Sequence, residues 1–346
     1  GMEQGGDTYE NCELPIAPSQ IDAICLTHAH VDHSGMIPAM VAKGYSGPVH
    51  CTEATHRLCN IMLQDSAHIQ EQEAEWQNRK AERSGSQQYI PVYTVADALE
   101  SLKLFEGHGY NKPIEIFEGI TISFCDAGHL LGSASVHITV NENGEERTIL
   151  FSGDLGNIDR PLIRNPQNPP YADYVVIEST YGDRVHGERP DYIAQLTKIM
   201  QETFSKGGNL VIPSFAIGRT QELLYLFRTI KEQNLIKGHE NFIVYVDSPL
   251  AVEATKIYQD NLMEYYDDET LALVKQGINP ISFPGLRLSV TSEESKAINF
   301  DLIPKVIISA SGMCEAGRIR HHLKHNLWRE NSTILFVGYQ AEGTFG

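Results

Sequence analysis

The sequence predicts an α/β protein whose two halves are built differently. In the first half, apolar and polar residues alternate with a period of two over 114–124 and 134–140, the pattern of strands with one buried face. In the second half, apolar strands near 209–212, 242–247, 305–309 and 333–338 alternate with helical segments near 190–205, 219–234, 250–265 and 315–327. Alternation at this spacing predicts a mainly parallel sheet flanked by helices.

Local signals place the first elements. Residues 21–27 form an apolar strand that runs into a histidine-rich loop, and a helix follows in which Pro38 is tolerated in the first turn. A short strand at 48–51 precedes a helix that begins near Glu53 and becomes very polar through 70–83. The first half is therefore rich in strands, with helices between some of them.

Glycine marks the turns that connect the later strands of the first half. Gly119 separates two alternating segments, and Asn143-Gly144 is a strong signal for a two-residue hairpin turn. Residues 84–88 are small and polar and predict a loop, and residues 173–178 add one more apolar strand.

Length and composition indicate a globular protein of two domains. The chain has 346 residues, 41% of them hydrophobic, without a run of the roughly 18–20 apolar residues that a membrane helix needs. The first residues carry no export signal. The six cysteines form no Cys-x-x-Cys pair, which favours free thiols in a reducing compartment. We therefore expect a cytoplasmic protein without a membrane partner.

The net charge of −18 argues, taken alone, against a protein that binds nucleic acid. Two features weaken this argument. Bound divalent metals would supply positive charge where it is needed, and residues 318–329 form a local cationic patch. The net charge therefore decides solubility rather than function.

The strongest chemical signal lies at 28–33, where His-x-His-x-Asp-His directly follows an apolar strand. Four metal-competent side chains, His28, His30, Asp32 and His33, fall within six residues. A strand end is rigid, and the turn after it can aim alternate residues at one point. Imidazole suits Zn²⁺, and a carboxylate extends the range to other divalent metals. The alternatives are an accidental surface cluster or histidines without a metal.

Two further candidates follow other strands and lie beside glycine. His129 comes after the strand that ends at Cys125, and Asp154 after the strand that ends near Ser152. Alone, each would be read as an ordinary loop or turn residue. Together they predict a site for two metals, with His28, His30 and His129 on one, Asp32 and His33 on the other, and Asp154 bridging. Two cations ~3.5–4 Å apart would activate a shared water, which suits hydrolysis of a phosphodiester.

This series of residues resembles the ligand series of the metallo-β-lactamase superfamily. More narrowly, four segments resemble the motifs of the β-CASP nucleases: 177–182 (IESTYG), 213–222 (PSFAIGRTQE), 247–251 (DSPLA) and 309–313 (SASGM). That group includes the endonuclease subunit of the eukaryotic cleavage and polyadenylation factor and its bacterial and archaeal relatives. The resemblance covers nearly the whole chain, and the bacterial relatives look most similar.

The resemblance implies a metallo-β-lactamase αβ/βα sandwich, incomplete at both ends, over residues 1–182 and a β-CASP domain over 183–346. It also implies that two Zn²⁺ ions, or Mn²⁺ in their place, bind in the first domain and that RNA enters between the two domains. Asp32 would be catalytic as well as a ligand, and Glu178 would orient a histidine general acid. The alternative for Glu178 is a strand-end glutamate that holds a nearby loop.

The sequence departs from the family pattern at both ends. Family members have an aspartate just before the segment that matches residues 1–5, and two further histidine motifs after the segment that matches 338–344. The sequence contains neither, so we expect a fragment that binds metal incompletely and cleaves poorly as it stands.

Loops of the second half offer candidate contacts to RNA phosphates. Ser214 and Ser311 lie between an apolar strand and a helix, where backbone N–H groups bind anions, and Arg219 adds charge. In the cationic patch, Arg318 and His322 are the candidates. The alternatives are turn and cap residues for the first group and a solvated helix face for the second.

The leading functional hypothesis is a zinc-dependent ribonuclease that acts on single-stranded RNA, as an endonuclease and also as a 5′-exonuclease. Two alternatives remain. The same scaffold also hosts hydrolases of other esters, and a non-catalytic RNA-binding subunit could keep the fold. The sequence leaves open the RNA target and whether the chain forms a homodimer.

Overall fold

A computed structural model describes residues 16–84, 88–185, 187, 190–260 and 263–346. Cys12, the segment 1–5 and residues 85–87 of the expected loop lie outside this part of the chain. Two compact units are found, one of Gly1–Asp159 with Arg164–Ser179 and one of Arg160–Ile163 with Thr180–Gly346. The expected domain division between residues 182 and 183 remains a prediction.

The first unit contains a parallel sheet in the order β1-β2-β3. Its strands are β1 (Ile24–Cys25), β2 (Val49–Thr52) and β3 (Phe105–His108). The intervening helices are α1 (Val31–Ser34), α2 (Ile37–Ala42), α3 (Glu53–Ser84) and α4 (Val95–Leu102). Parallel neighbours need such crossover helices, because the chain must return to the same end of the sheet before the next strand starts.

The second sheet of this unit has the order β4-β5-β6-β7-β8 and is antiparallel except for the pair β7–β8. Its strands are β4 (Ile114–Phe117), β5 (Ile120–Asp126), β6 (Ala134–Glu142), β7 (Glu145–Phe151) and β8 (Tyr174–Val176). The predicted hairpin turn at Asn143-Gly144 is confirmed, since both residues have positive φ as this two-residue turn requires.

The inner face of β5 and β6 forms a core. Ile122, Phe124, Ala134 and Val136 are buried together, and Cys25 of β1 packs against them. The period-two pattern thus sends one side of each strand inward, and burying each large side chain stabilises the unit by roughly 1.5–3 kcal/mol.

The second unit is built on a parallel sheet in the order β11-β10-β12-β9-β13, which confirms the predicted architecture. The strands are β9 (Leu210–Pro213), β10 (Ile243–Asp247), β11 (Leu286–Ser289), β12 (Lys305–Ser309) and β13 (Thr333–Ile334). The helices are α5 (Tyr192–Ser205), α6 (Arg219–Glu232), α7 (Pro249–Gln259), α8 (Asp268–Lys275), α9 (Ser292–Phe300) and α10 (Ile319–Asn326).

Several expected elements are shorter than the sequence pattern indicated. The strand expected over 21–27 is confined to Ile24–Cys25, and the helix expected over 250–265 ends at Gln259. The helix expected over 315–327 begins only at Ile319, after Gly317 with a φ of 81°. The strand expected over 333–338 is confined to Thr333–Ile334. In contrast, α4, β3, α8, α9 and β11 were not predicted.

The described cysteines and helices bear on two of the expectations from composition. Cys25, Cys51, Cys59, Cys125 and Cys314 carry free thiols. Among the described residues, no helix has both the length and the apolar character that crossing a membrane requires.

A buried charged cluster joins β10 to α9 and α10. Asp247, at the end of β10, is fully buried; His322 Nε2 lies 2.6 Å from its Oδ2, and Arg318 Nη1 donates to its Oδ1 at 2.7 Å. Ser295 of α9 donates to the same carboxylate. Burial alone would raise the pKa of Asp247, but the bonds from His322, Ser295 and Arg318 outweigh it and hold the pKa at about 2.

We expect Asp247→Asn to lower the free energy of unfolding by about 3–5 kcal/mol, because it leaves the Arg318 charge without its buried partner. Urea unfolding measures this change. The control is Glu253→Gln, which removes an exposed partner of Lys256 and costs less than about 1 kcal/mol. Equal losses of unfolding free energy in the two variants would contradict a stabilising role for the buried Asp247 cluster.

The carboxylate of Asp247 also makes the stability of the fold depend on pH in the acid range. Its pKa of about 2 in the fold lies below the value of about 4 in an unfolded chain. A depressed pKa contributes stability that is complete above the unfolded value and is lost as the pH falls through the folded one. The difference in stability between the wild type and Asp247→Asn should therefore shrink between about pH 4 and pH 2.

Candidate metal centre

Three loops of the first unit carry the predicted ligands, and each leaves the end of a strand. Residues 27–33 follow β1, residues 127–133 follow β5, and residues 152–156 follow β7. Hydrogen bonds hold these strand ends side by side: Ala134 N donates to Thr27 O at 2.8 Å, and the side-chain Ser135 Oγ donates to Ser152 O at 2.9 Å. Side chains far apart in sequence therefore meet at one edge.

Two glycines allow the loops to approach closely. A Cβ on Gly156 would lie 1.7 Å from Gly128 O, where Gly156 N donates to Ala127 O at 2.8 Å. Gly153 has a φ of 58°, and a Cβ there would lie 2.8 Å from Thr27 Cβ. Only glycine fits both positions, which explains the glycines beside the predicted ligands.

The first ligand set consists of three imidazoles. His30 Nδ1 lies 3.2 Å from His28 Nε2 and 3.2 Å from His129 Nε2. Asp154 Oδ2 lies 3.7 Å from His28 Nε2 and 3.6 Å from His129 Nε2. Ligand atoms around a tetrahedral zinc ion are about 3.3 Å apart for Zn–N bonds of 2.0–2.1 Å. The four side chains therefore have the spacing of a metal site.

The second ligand set faces the other oxygen of the same carboxylate. His33 Nε2 lies 3.1 Å from Asp154 Oδ1 and 3.4 Å from Asp32 Oδ2. These three groups also lie close enough to share one ion. The structure thus brings all six predicted ligands together, with Asp154 between the two sets.

The electrostatics of the two sets differ. Burial, together with the neighbouring imidazoles, holds the pKa of His28 well below its usual value, so its lone pair is available to a metal. Burial alone would lower the pKa of His33, but hydrogen bonds to Asp154 and Asp32 raise it to about 9. The carboxylate pair therefore attracts positive charge at the place where the second ion was predicted.

Glu178 lies beside the loop that carries Asp154. Its Oε1 accepts a hydrogen bond from Leu155 N at 2.7 Å, and its own N–H donates to Ser152 Oγ at 3.0 Å. The glutamate after β8 is therefore hydrogen-bonded to the loop that carries Asp154, and its role in the reaction remains a prediction.

In the second unit, the candidate Arg219 forms part of an ion-pair cluster. Its Nη1 donates to Glu222 Oε2 at 2.7 Å, and Arg160 pairs with the other oxygen of Glu222. The Arg219 side chain keeps 38% of its area exposed. It can therefore contact a ligand while its position is fixed by Glu222.

The candidates of the cationic patch turn inward. His322 is fully buried between Asp247 and Asn299, and Arg318 donates to Asp247 and to Val290 O. This burial does not support RNA contact by His322. The sequence pattern of the helix did not reveal that His322 is buried, because its partner Asp247 lies 75 positions earlier in the chain.

The serine candidates are also engaged within the unit. Ser214 is buried and accepts a hydrogen bond from Thr220 Oγ1 at 3.1 Å, and Ser311 Oγ donates to Ala316 O at 3.3 Å. Their loops leave the carboxyl ends of the adjacent parallel strands β9 and β12. This edge of a parallel sheet is where ligands of α/β proteins bind.

The sequence reasoning missed residues that hold the ligands in place. Thr27 Oγ1 lies 3.2 Å from His28 Nδ1, and Ser133 Oγ accepts from His129 N at 3.0 Å. Thr27 directly precedes His28, and Ser133 follows His129 by four residues. A search for hydroxyls around the ligand motifs would have found them.

Two family models match the chain. The model described as Metallo-beta-lactamase superfamily matches residues 5–199, and the model described as Beta-Casp domain matches residues 220–346.

Curated relatives agree with these matches. The chain is 36% identical to Ribonuclease TTHA0252 of Thermus thermophilus, over all of this chain and 74% of that protein. It is 34% identical to the Transcription termination factor FttA of Methanocaldococcus jannaschii, over 94% of this chain and 49% of that protein. It is 29% identical to an RNase J-like protein of the same organism, over 99% of this chain and 72% of that protein.

The chain spans about half the length of the termination factors that it matches. The ligand geometry, the two family models and the 36% identical ribonuclease lead to one assignment. The chain belongs to the metallo-β-lactamase superfamily, in the group whose members carry a Beta-Casp domain.

Proposed function

We propose that this protein is a metal-dependent ribonuclease that hydrolyses phosphodiester bonds of single-stranded RNA with a water activated between two zinc ions. The observation that carries the proposal is the position of Asp154, whose two carboxylate oxygens face two separate sets of ligands. The name of the similar Thermus protein supports RNA as the substrate.

The residues present fit two divalent cations. His28, His30 and His129 would hold one ion, Asp32 and His33 the other, and Asp154 would bridge them. When bound, the ions would lower the pKa of a shared water and neutralise charge on the scissile phosphate. Asp154 sets the spacing of the two sets, and Glu178 fixes Asp154 through the Leu155 N–H.

RNA phosphates would contact the carboxyl edge of the parallel sheet. The loops after β9 and β12 carry Ser214 and Ser311, and Arg219 offers a partly exposed guanidinium. Because Ser214 is buried, the backbone of these loops would make the contacts rather than its hydroxyl. Endonucleolytic cleavage, accompanied by 5′-exonucleolytic cleavage, is the activity that we propose.

We expect His30→Ala to reduce cleavage of single-stranded RNA at least about 100-fold. The reason is that substitution of a residue that only hydrogen-bonds to a metal ligand already lowers metal affinity or activity about 10- to 100-fold. A circular RNA and a 5′-labelled linear RNA separate endonucleolytic from 5′-exonucleolytic products. The control is His68→Ala, which removes an exposed histidine of α3. Equal cleavage by wild type and His30→Ala would eliminate the mechanism, and binding without cleavage by either would favour an RNA-binding subunit.

Removal of divalent cations with a chelator should abolish cleavage, and added Zn²⁺ should restore it at a lower concentration than Mn²⁺. The reason is that imidazole-rich sites bind Zn²⁺ more tightly than Mn²⁺. Product formation, measured as a function of the free concentration of each metal, gives the concentration of Zn²⁺ and of Mn²⁺ that restores half of the activity. Cleavage that persists in the metal-depleted protein would contradict a metal-dependent reaction.

The two roles considered for Glu178 make different predictions. An amide oxygen can still accept the Leu155 N–H, so a purely loop-holding role predicts near wild-type cleavage by Glu178→Gln and a loss in Glu178→Ala. We expect this result. If Glu178→Gln fails as badly as Glu178→Ala, then the negative charge itself is required, as for a residue that orients a general acid.

A further inference from the structure

A second group of metal-competent side chains lies in the first unit, on the strands β2 and β3 rather than on the loops of the candidate metal centre. His50 Nδ1 lies 3.1 Å from His108 Nε2 and 3.4 Å from Glu106 Oε2. One ligand atom from each of the three side chains lies within 4.8 Å of the others.

The pairing of the strands explains why these side chains meet. His50 is directly opposite Glu106 in the parallel register of β2 and β3, and His108 follows Glu106 by two residues. Residues two apart in a strand point to the same face of the sheet. All three side chains therefore project from one face, and the register that fixes them comes from backbone hydrogen bonds.

The spacing and the donor types fit a zinc-class ion. Two imidazole nitrogens and a carboxylate oxygen form a ligand set known from zinc sites in which the fourth position stays open. The separations of 3.1 and 3.4 Å bracket the spacing of about 3.3 Å expected around a tetrahedral ion with such ligands.

The surroundings hold the two imidazoles in place and leave one side open. His50 is buried, and the His108 ring stacks on the buried Phe124 at 6.0 Å with an interplanar angle of 12°. Glu106 has 57% of its side chain exposed, so an ion can enter from its side. Burial lowers the pKa of both His50 and His108, which keeps their lone pairs available at neutral pH.

We propose that His50, Glu106 and His108 bind a divalent transition-metal ion, of the Zn²⁺ class, independently of the candidate metal centre. The ion links β2 to β3 and so stabilises the sheet from which the His28–His33 segment leaves. The alternative is a hydrogen-bonded His50–His108 pair with Glu106 beside it and no ion. The proposal does not rest on the ribonuclease function, because its evidence and its test concern ion binding alone.

The test uses the purified chain with the candidate metal centre disabled by His30→Ala, His33→Ala and His129→Ala, which together remove ligands from both of its sets. After metal depletion, Zn²⁺ is titrated against a chromogenic chelator. This background variant should still bind one Zn²⁺ per chain. Adding Glu106→Gln, an exposed and isosteric change, should weaken that binding about tenfold or more, and adding His108→Ala should abolish it. Adding Glu115→Gln, at an exposed glutamate of β4, serves as the matched control.

Thermal unfolding gives a second measurement on the same variants. Zn²⁺ should raise the melting temperature of the background variant and of its Glu115→Gln derivative, and at the same Zn²⁺ concentration it should raise that of the Glu106→Gln derivative less, because an ion that binds only the folded chain stabilises it more the more tightly it binds. Since Glu106 is exposed, its substitution should leave the fold intact without metal. A background variant that binds no Zn²⁺, or a Glu106→Gln derivative that binds it as tightly as the background, would overturn the proposal.

Discussion

The arrangement of the candidate metal centre depends on one carboxylate that is shared between two groups of ligands. Asp154 faces His28 and His129 with one oxygen and His33 with the other, so a single side chain relates the positions of both groups. Partial burial of such a carboxylate is unfavourable unless positive charge compensates it. The convergence of β1, β5 and β7 at one edge, with glycines where their loops touch, makes this position reachable.

The sequence was most informative where a segment is buried on both faces or alternates regularly. The apolar runs of β9, β10 and β12 predicted a parallel sheet, because strands covered by helices on both sides must be apolar throughout. β11 escaped prediction because Arg287 and Leu288 are exposed and leave little pattern. Its strand conformation comes from pairing with β10, which is a tertiary effect.

The candidate metal centre could be predicted because four of its ligands lie within six residues and the other two follow strands in the same way. The resemblance to a known family supported the same ligands, because the motifs occur in the same order along the chain. The buried position of His322 could not be predicted, since the charges in its helix suggest a solvated face and its partner Asp247 belongs to another strand. The group of His50, Glu106 and His108 was missed for a related reason: its members become neighbours only through the register of β2 and β3.

The contact between Gly156 and Gly128 has a consequence for how this scaffold can change. With a backbone hydrogen bond from Gly156 to Ala127 and no room for a side chain, the loops after β5 and β7 are locked to each other in length as well as in position. An insertion between Gly128 and His129 or between Asp154 and Gly156 would shift one ligand relative to the other. Changes in length are better accommodated in segments that do not share this contact.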